Sequence, residues 1–252
     1  MSIEIIFSEF GRKRYSGGWG SANNPLPTQR LEPTYSSVKK YFPDAKIVLY
    51  TDTPDLVSEF KNTNIEIRLV VPPFDKSHNR YGNRCNDFYK IVGLLNIEKD
   101  VGMAIDSDMV FCNNNVKHIT EITKKVGCCF VKSPRMIGHK ELNAIDGTGT
   151  KYSETDFITP TQGSPITFYK NDNRCRKLLE HIENSFRNSP HRLVATVLNS
   201  IWETGIYPYI LPFVWCVCSN NMEFQNVKGN YIILHIGDPI VYKYWKEHLY
   251  QV

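Results

Sequence analysis

Along the first hundred positions, short apolar runs alternate with stretches of helical spacing. "IEIIF" at 3–7 reads as a strand, and the loop after it, "SEFGRKRYSGGWGSANNP", is rich in glycine and charge. Positions 28–41 carry apolar residues at helical intervals. "KIVLYTD" (46–52) is a second strand ending on polar residues. "IEIRLVV" (65–71), closed by Pro72 and Pro73, is a third. A longer helical pattern over 84–95 sets Phe88, Ile91, Val92 and Leu95 on one face. "VGMAIDSDMVF" (101–111) follows as a further apolar strand. This alternation predicts an α/β protein with a mostly parallel central sheet and helices on both faces.

The second half is less regular. "VGCCFV" (126–131), "SPITFYK" (164–170), "YPYILP", "FVWCVC" and "NYIILHI" (230–236) read as strands, while 174–186 and 193–202 read as helices. No repeat, low-complexity tract or Pro/Gly linker divides the chain. We therefore expect one domain over 1–252, with an ordered half at 1–111 and an irregular half at 112–252.

In sheets of this kind a ligand sits beyond the carboxyl ends of the strands. Ser8, Asp52 and the pair Asp106/Asp108 fall there. Two carboxylates this close repel each other, and at a strand end they need a cation or strong donors. On an extended segment both would project to the same side, because the side-chain period is two. Oxygen ligands of this type suit a hard dication such as Mg²⁺ or Mn²⁺, shared with diphosphate oxygens. Such an ion relieves charge on a departing diphosphate as a Lewis acid.

Composition narrows the classes. With 41% hydrophobic and 22% charged residues, a sizeable core is available. The net charge of +4 is too small and too scattered to argue for a nucleic-acid surface. The seven cysteines are odd in number and lack double CxxC spacing, so they read as reduced thiols in a reducing compartment. The N-terminus "MSIEIIFSEF" has no basic region followed by a long apolar run, and no window of 18 apolar residues exists. Neither a signal peptide nor a membrane span is expected, and a cytoplasmic site of action follows, in a bacterium or in the host of a virus.

"GMAIDSDMVF" resembles the D-x-D strand of nucleotide-sugar glycosyltransferases with the GT-A (Rossmann-like) fold. The helix before it, "NDFYKIVGLLNIEKD", is similar to the one leading into that strand in the glycogenin-like and bacterial galactosyltransferase-like, metal-dependent branch. Near the C-terminus, "ILHIGDPIVYKYW" resembles that branch's closing His, Gly, Lys, Trp motif, with more residues between Gly and Lys than is usual. The resemblance implies a UDP-sugar donor (glucose, galactose or xylose type), a carbohydrate acceptor, Mn²⁺ or Mg²⁺, and retention of configuration. Asp106 and Asp108 would bind metal and ribose, and His235 would complete the metal site. Gly237 would let the backbone approach phosphate. Lys243, Lys90 and Arg84 would hold the diphosphate, with Arg12 or Arg14 of the glycine-rich loop closing over it. Thr51, Asp52, Ser8 and Ser107 would meet the nucleoside. Gln162 would lie beneath the sugar and Asp156 would bind its hydroxyls. Trp202, Glu203, Trp215 and His191 would serve the acceptor. The acidic motif that the branch carries on a later helix is missing: "VATVLNSI" has Val194 and Thr196 where acids are expected.

Two rivals remain. "AIDSDMV" also resembles the motif of haloacid-dehalogenase-type phosphatases, in which the first Asp attacks phosphorus. Those enzymes place it after their first strand and need a later acidic pair, where this chain offers only Asp238. A non-catalytic sugar-nucleotide-binding module is the other. A sugar nucleotidyltransferase lacks support, since no glycine-rich phosphate loop follows the first strand.

Overall fold

The computed structural model describes residues 2–10, 27–54, 63–78, 81–132, 163–188, 193–218, 230–237 and 239–250. Strand β1 (Ile3–Glu9) is followed by helix α1 (Pro27–Tyr41), β2 (Lys46–Thr51), β3 (Ile65–Leu69), α2 (Tyr81–Leu95), β4 (Val101–Ala104) and β5 (Met109–Phe111). The second half holds α3 (Ile119–Val126), β6 (Cys128–Val131), β7 (Ile166–Tyr169), α4 (Asn173–Asn188), α5 (Leu193–Thr204), β8 (Tyr209–Leu211), β9 (Ile233–His235) and α6 (Pro239–His248).

Seven strands make one sheet in the order β3-β2-β1-β4-β7-β6-β8. The half built from β3, β2, β1 and β4 is parallel, β7 runs antiparallel to both β4 and β6, and β8 is parallel to β6. β1 is buried along its whole length, as expected of a central strand covered on both faces. Its two acids mark its ends. Glu4 takes backbone N–H bonds from Glu98 (2.8 Å) and Lys99 (3.4 Å), which ties the turn before β4 to the sheet. Glu9 lies at the carboxyl end, where the site is.

One face of the sheet packs Ile5, Phe7, Leu49 and Met103 against Leu31 and Val38 of α1 and Ile119 of α3. The other packs Ile6, Val48, Ala104 and Phe168 against α2, α4 and α5. The buried stripe of α2 shifts from expectation: Phe88 and Ile91 are buried but Val92 and Leu95 only in part, and Tyr81, Cys85, Tyr89 and Leu94 are buried as well, where α2 packs between the sheet and α4. Full burial of Ile91 or Leu94 is worth about 1.5–3 kcal/mol each. All seven cysteines are free thiols. No helix among the described residues is long and apolar enough to cross a membrane.

The stretch "FVWCVC" departs from expectation. It forms a short 3-10 turn, Phe213–Trp215, and only Val217 makes a bridge, to Leu234. β5 and β9 leave the main sheet and pair with each other, antiparallel, around a small core of Val110, Leu234, Val241 and Trp245.

A candidate metal centre at the carboxyl rim

β4 stops after Ala104, and the Ile105 N–H makes a last bond across to the Ile6 carbonyl at 3.1 Å. The chain then turns, with the Met109 N–H donating to the Asp106 carbonyl at 3.1 Å. Asp106 and Asp108 therefore do not share one extended segment, which corrects the expectation from strand periodicity. They converge because of the turn. β5 then sets Met109 opposite His235, and the Ile236 N–H donates to the Asp108 carbonyl at 2.7 Å. This small ribbon carries an imidazole from a distant part of the sequence to the aspartates.

Ligand atoms of Asp106, Asp108 and His235 all lie within 4.8 Å of one another. His235 Nε2 is 3.2 Å from Asp108 Oδ1 and 3.8 Å from Asp106 Oδ2. The opposite oxygen of Asp106 meets the Lys90 ammonium at 2.6 Å. Lys90, with 3% of its side chain exposed, also touches Asp87 Oδ1 (3.2 Å) and the Gly163 carbonyl (3.3 Å). The Asp106 N–H donates to Ser164 Oγ at 3.1 Å, which fixes that residue from the β7 side.

Burial alone would depress the His235 pKa. Asp108 first, then Asp106, overcome that and push it up to about 9, against a smaller opposing push from Lys90. At neutral pH the imidazole thus carries a proton between two carboxylates. Gly237 completes the cradle: a Cβ there would stand 2.1 Å from Asp108 Oδ2. Only a residue without a side chain lets the backbone pass so close to the carboxylate.

Ser8, Thr51 and Ser107 are buried at the same rim, and their hydroxyls bond the protein itself. Ser8 donates to the Asn86 carbonyl at 2.9 Å, and Thr51 Oγ1 accepts from the Thr53 N–H at 3.0 Å. The Ser107 hydroxyl donates to Glu9 Oε1, and its carbonyl accepts from Thr34 Oγ1 at 2.7 Å. Asp52 is half-buried and accepts from the Tyr81 hydroxyl at 2.8 Å; burial, then Asp52, push the Tyr81 phenol up. Glu9, 2% exposed, was not picked out by motif reasoning. Its one sequence signal is an acid two residues past the apolar run of the first strand.

Arg84 takes another direction. It precedes Lys90 by six residues, so it falls about a third of a turn off that face. Its guanidinium stacks over Phe74 (4.6 Å) and Phe186 (5.6 Å) and donates to the Phe186 carbonyl at 3.4 Å. Lys243 lies on α6 with 76% of its side chain exposed, 4.0 Å from Glu247 on the same helix. No described contact joins it to the aspartates. Trp202 and Glu203 end α5, which leads into the amino end of β8, so they lie at the rim opposite the Asp pair. Trp215 is buried in the core. Gln162, Asp156, Arg12, Arg14, His191 and Asp238 lie outside the described residues.

A cavity of 340 Å³ on the outer side of α2, lined by Val71, Pro73, Phe88, Tyr89, Val92 and Arg187 among others, shares no residue with the Asp–Asp–His group.

No family model matches the sequence, and no curated protein does. Solved structures do. Mouse xyloside xylosyltransferase 1, in its apo form, superposes with a TM-score of 0.53 at 10% identity, over 93% of this chain and 97% of that one. The 4-diphosphocytidyl-2C-methyl-D-erythritol synthase of Anaerococcus prevotii DSM 20548 gives a TM-score of 0.48 at 15% identity, over 83% of this chain and 86% of that one. At 10% identity the first likeness speaks for architecture alone. Together with the mixed seven-stranded sheet flanked by helices, it gives this chain a GT-A-like, Rossmann-like fold.

Proposed function

We propose that the chain is a metal-dependent glycosyltransferase that moves a hexose or pentose from a UDP-sugar of glucose, galactose or xylose type to a carbohydrate acceptor. Retention of anomeric configuration is the expected outcome, on the strength of the sequence resemblance to the glycogenin-like branch. The observation that carries the reading is the convergence of Asp106, Asp108 and His235 at the carboxyl rim of the sheet, with Lys90 alongside.

The donor set fits a dication. Two carboxylates and one imidazole offer oxygen and nitrogen ligands from three different backbone segments, and the bare backbone at Gly237 leaves room beside Asp108. An imidazole among carboxylates suits Mn²⁺ better than Mg²⁺. When bound, the ion supplies Lewis-acid relief of charge on the leaving diphosphate.

The chain's own residues prepare that site. His235 must give up its proton before Nε2 can act as a ligand, so the two aspartates hold a proton where they later hold a metal. Lys90 orients Asp106 through the 2.6 Å contact. Its ammonium has three N–H donors and three oxygen partners, so a phosphate oxygen reaches it only by displacing one of them. Glu9 and Thr34 grip Ser107, the residue between the two aspartates, and so hold the turn. Gln162 and Asp156 remain proposed for the sugar, and Lys243 for the diphosphate. The phosphatase reading wants a second acidic pair at the metal. Among the described residues, the groups brought to Asp106 and Asp108 are an imidazole and an ammonium.

The test compares UDP release from UDP-glucose, UDP-galactose and UDP-xylose, with and without Mn²⁺, against hydrolysis of p-nitrophenyl phosphate. Mn²⁺-dependent UDP release that Asp108→Ala abolishes supports the proposal, and the anomeric signal of the product reports the stereochemistry. Phosphatase turnover without UDP release overturns it.

A further inference from the structure

Val217 runs beside β9 in parallel: its N–H donates to the Ile233 carbonyl at 3.0 Å, and its carbonyl accepts from the His235 N–H at 2.9 Å. That pairing sets Val217 opposite Leu234, Cys216 opposite Ile233 and Cys218 opposite His235. Side chains alternate between the two faces of such a ribbon, and the packing shows which face is which. Val217, Leu234 and Val110 belong to the small core under α6, whereas Cys216, Ile233, Met109 and Phe111 belong to the core of the main sheet. His235 pairs with Met109 and so lies on the second face, with its imidazole at the aspartates. Cys218, two residues past Cys216 and across from His235, follows on that face.

Electrostatics agree with the register. Burial first, and then Cys218, Asp106 and Asp108, push the Cys216 thiol up, so Cys216 lies within electrostatic reach of Cys218 and of both carboxylates. Five of the seven thiols are buried, and two, Cys112 and Cys218, are half-buried. Cys112 packs against the small core, on the far face of the ribbon. Cys218 is therefore the half-buried thiol on the metal face. Its sulfur stands outside the group of ligand atoms that lie within 4.8 Å of one another. A turn about χ1 from one staggered position to another is the movement that brings it in.

We propose that Cys218 is a fourth protein ligand for thiophilic dications at this centre, so that Zn²⁺ binds it in a closed form that shuts out the diphosphate. The inference rests on the Asp106, Asp108 and His235 group of the reading above. Zn²⁺ is four-coordinate, accepts sulfur, nitrogen and oxygen ligands together, and stands above Mn²⁺ in affinity for such donors. Three protein ligands leave its fourth position open. A thiolate in that position, its proton released to water, leaves none for a phosphate oxygen. Mn²⁺ prefers oxygen ligands to sulfur and takes more of them, so it keeps positions for the diphosphate. One rim thus has an open form with the hard ion and a blocked form with the soft one.

Co²⁺ reports thiolate ligation through an intense charge-transfer band in the near ultraviolet, and its titration into the full chain tests this on wild type and Cys218→Ser. Wild type should show the band and Cys218→Ser should lose it. Calorimetry should find Zn²⁺ affinity at least about tenfold lower in Cys218→Ser, with Mn²⁺ affinity changed by less than about threefold. UDP should bind wild type at least about tenfold more weakly in Zn²⁺ than in Mn²⁺, and Cys218→Ser should remove most of that difference. A cobalt complex without the band, a band that survives in Cys218→Ser, or an equal loss of Zn²⁺ and Mn²⁺ affinity overturns the proposal. If melting curves show that Cys218→Ser does not fold, Cys218→Ala carries the same comparison. Wild type that binds none of the three ions defeats the metal-dependent reading and this inference together; Mn²⁺ and Co²⁺ binding without the sulfur band defeats this inference alone.

Discussion

Replacing Gly237 by alanine probes the metal site without removing any ligand. The added Cβ would stand 2.1 Å from Asp108 Oδ2, 2.9 Å from its Cγ and 3.2 Å from His235 Cε1. Ordinary contact begins near 3.4 Å, so the carboxylate must recede by about 1 Å or more. The backbone of Asp108 cannot follow, because the Ile236 N–H bond at 2.7 Å and the β5–β9 pairing hold it. The side chain must rotate, and rotation breaks its 3.2 Å approach to His235. A misplacement of about 1 Å at reacting geometry costs on the order of 10²-fold in rate, and disturbed metal ligation costs about 10–100-fold in affinity. The fold should lose less than about 1 kcal/mol, because the end of one short side chain moves and no cavity opens. Mn²⁺ titration by electron paramagnetic resonance, UDP-release rates and thermal melting read the three quantities separately. Gly237→Ala with wild-type Mn²⁺ affinity and wild-type turnover would refute the assignment of Asp108 as a ligand.

Four further outcomes follow from the structure. Because His235 holds its proton up to about pH 9, Mn²⁺ affinity should climb about tenfold per pH unit toward that value and then level, and His235→Ala should flatten the profile; a flat wild-type profile contradicts this. In the metal-free protein the sign is opposite: the folded pKa is raised, so the stabilisation by His235 is whole below the ordinary value of 6.5 and lost as pH rises through about 9, which melting of wild type against His235→Gln in chelator checks. Lys90→Met leaves Asp87 and Asp106 without their shared buried cation and should cost about 3 kcal/mol in urea unfolding, part of it restored by Mn²⁺; a cost under about 1 kcal/mol argues against the bridge. Gly93→Ala drives a Cβ to 2.6 Å from Ile6 Cγ2 between α2 and β1 and should destabilise by about 1–3 kcal/mol while leaving Mn²⁺ affinity per folded molecule unchanged.

The parallel half of the sheet was readable because β1, β2 and β4 are buried along nearly their whole length and appear as short, mostly apolar runs, while the edge strand β3 alternates with charge; Ile3–Glu9 and Lys46–Thr51 differ from expectation only at their ends. The Asp pair and His235 were readable as motifs. That they meet was implied by the family resemblance but not by spacing, since it depends on a turn at 105–108 and on three-residue strands whose pairing is entirely long-range. Helix Ile119–Val126 escaped notice because it is only eight residues long and runs straight into the apolar stretch of β6. Glu9 carries no motif, and Asn86 opens the quoted helix stretch without being singled out by it. Each is a polar residue in a buried position, and burial at the end of a strand or the face of a helix becomes visible only once the neighbours are placed.

The central claim is that two acids and one imidazole at this rim hold a dication that a nucleoside diphosphate shares. Titration of Mn²⁺ into the chain, with UDP present and absent, addresses it directly. The account predicts one Mn²⁺ per chain, bound more tightly when UDP is present, and lost in Asp108→Ala at an unchanged melting temperature. Mn²⁺ binding that ignores UDP, or that persists undiminished in Asp108→Ala, would contradict it.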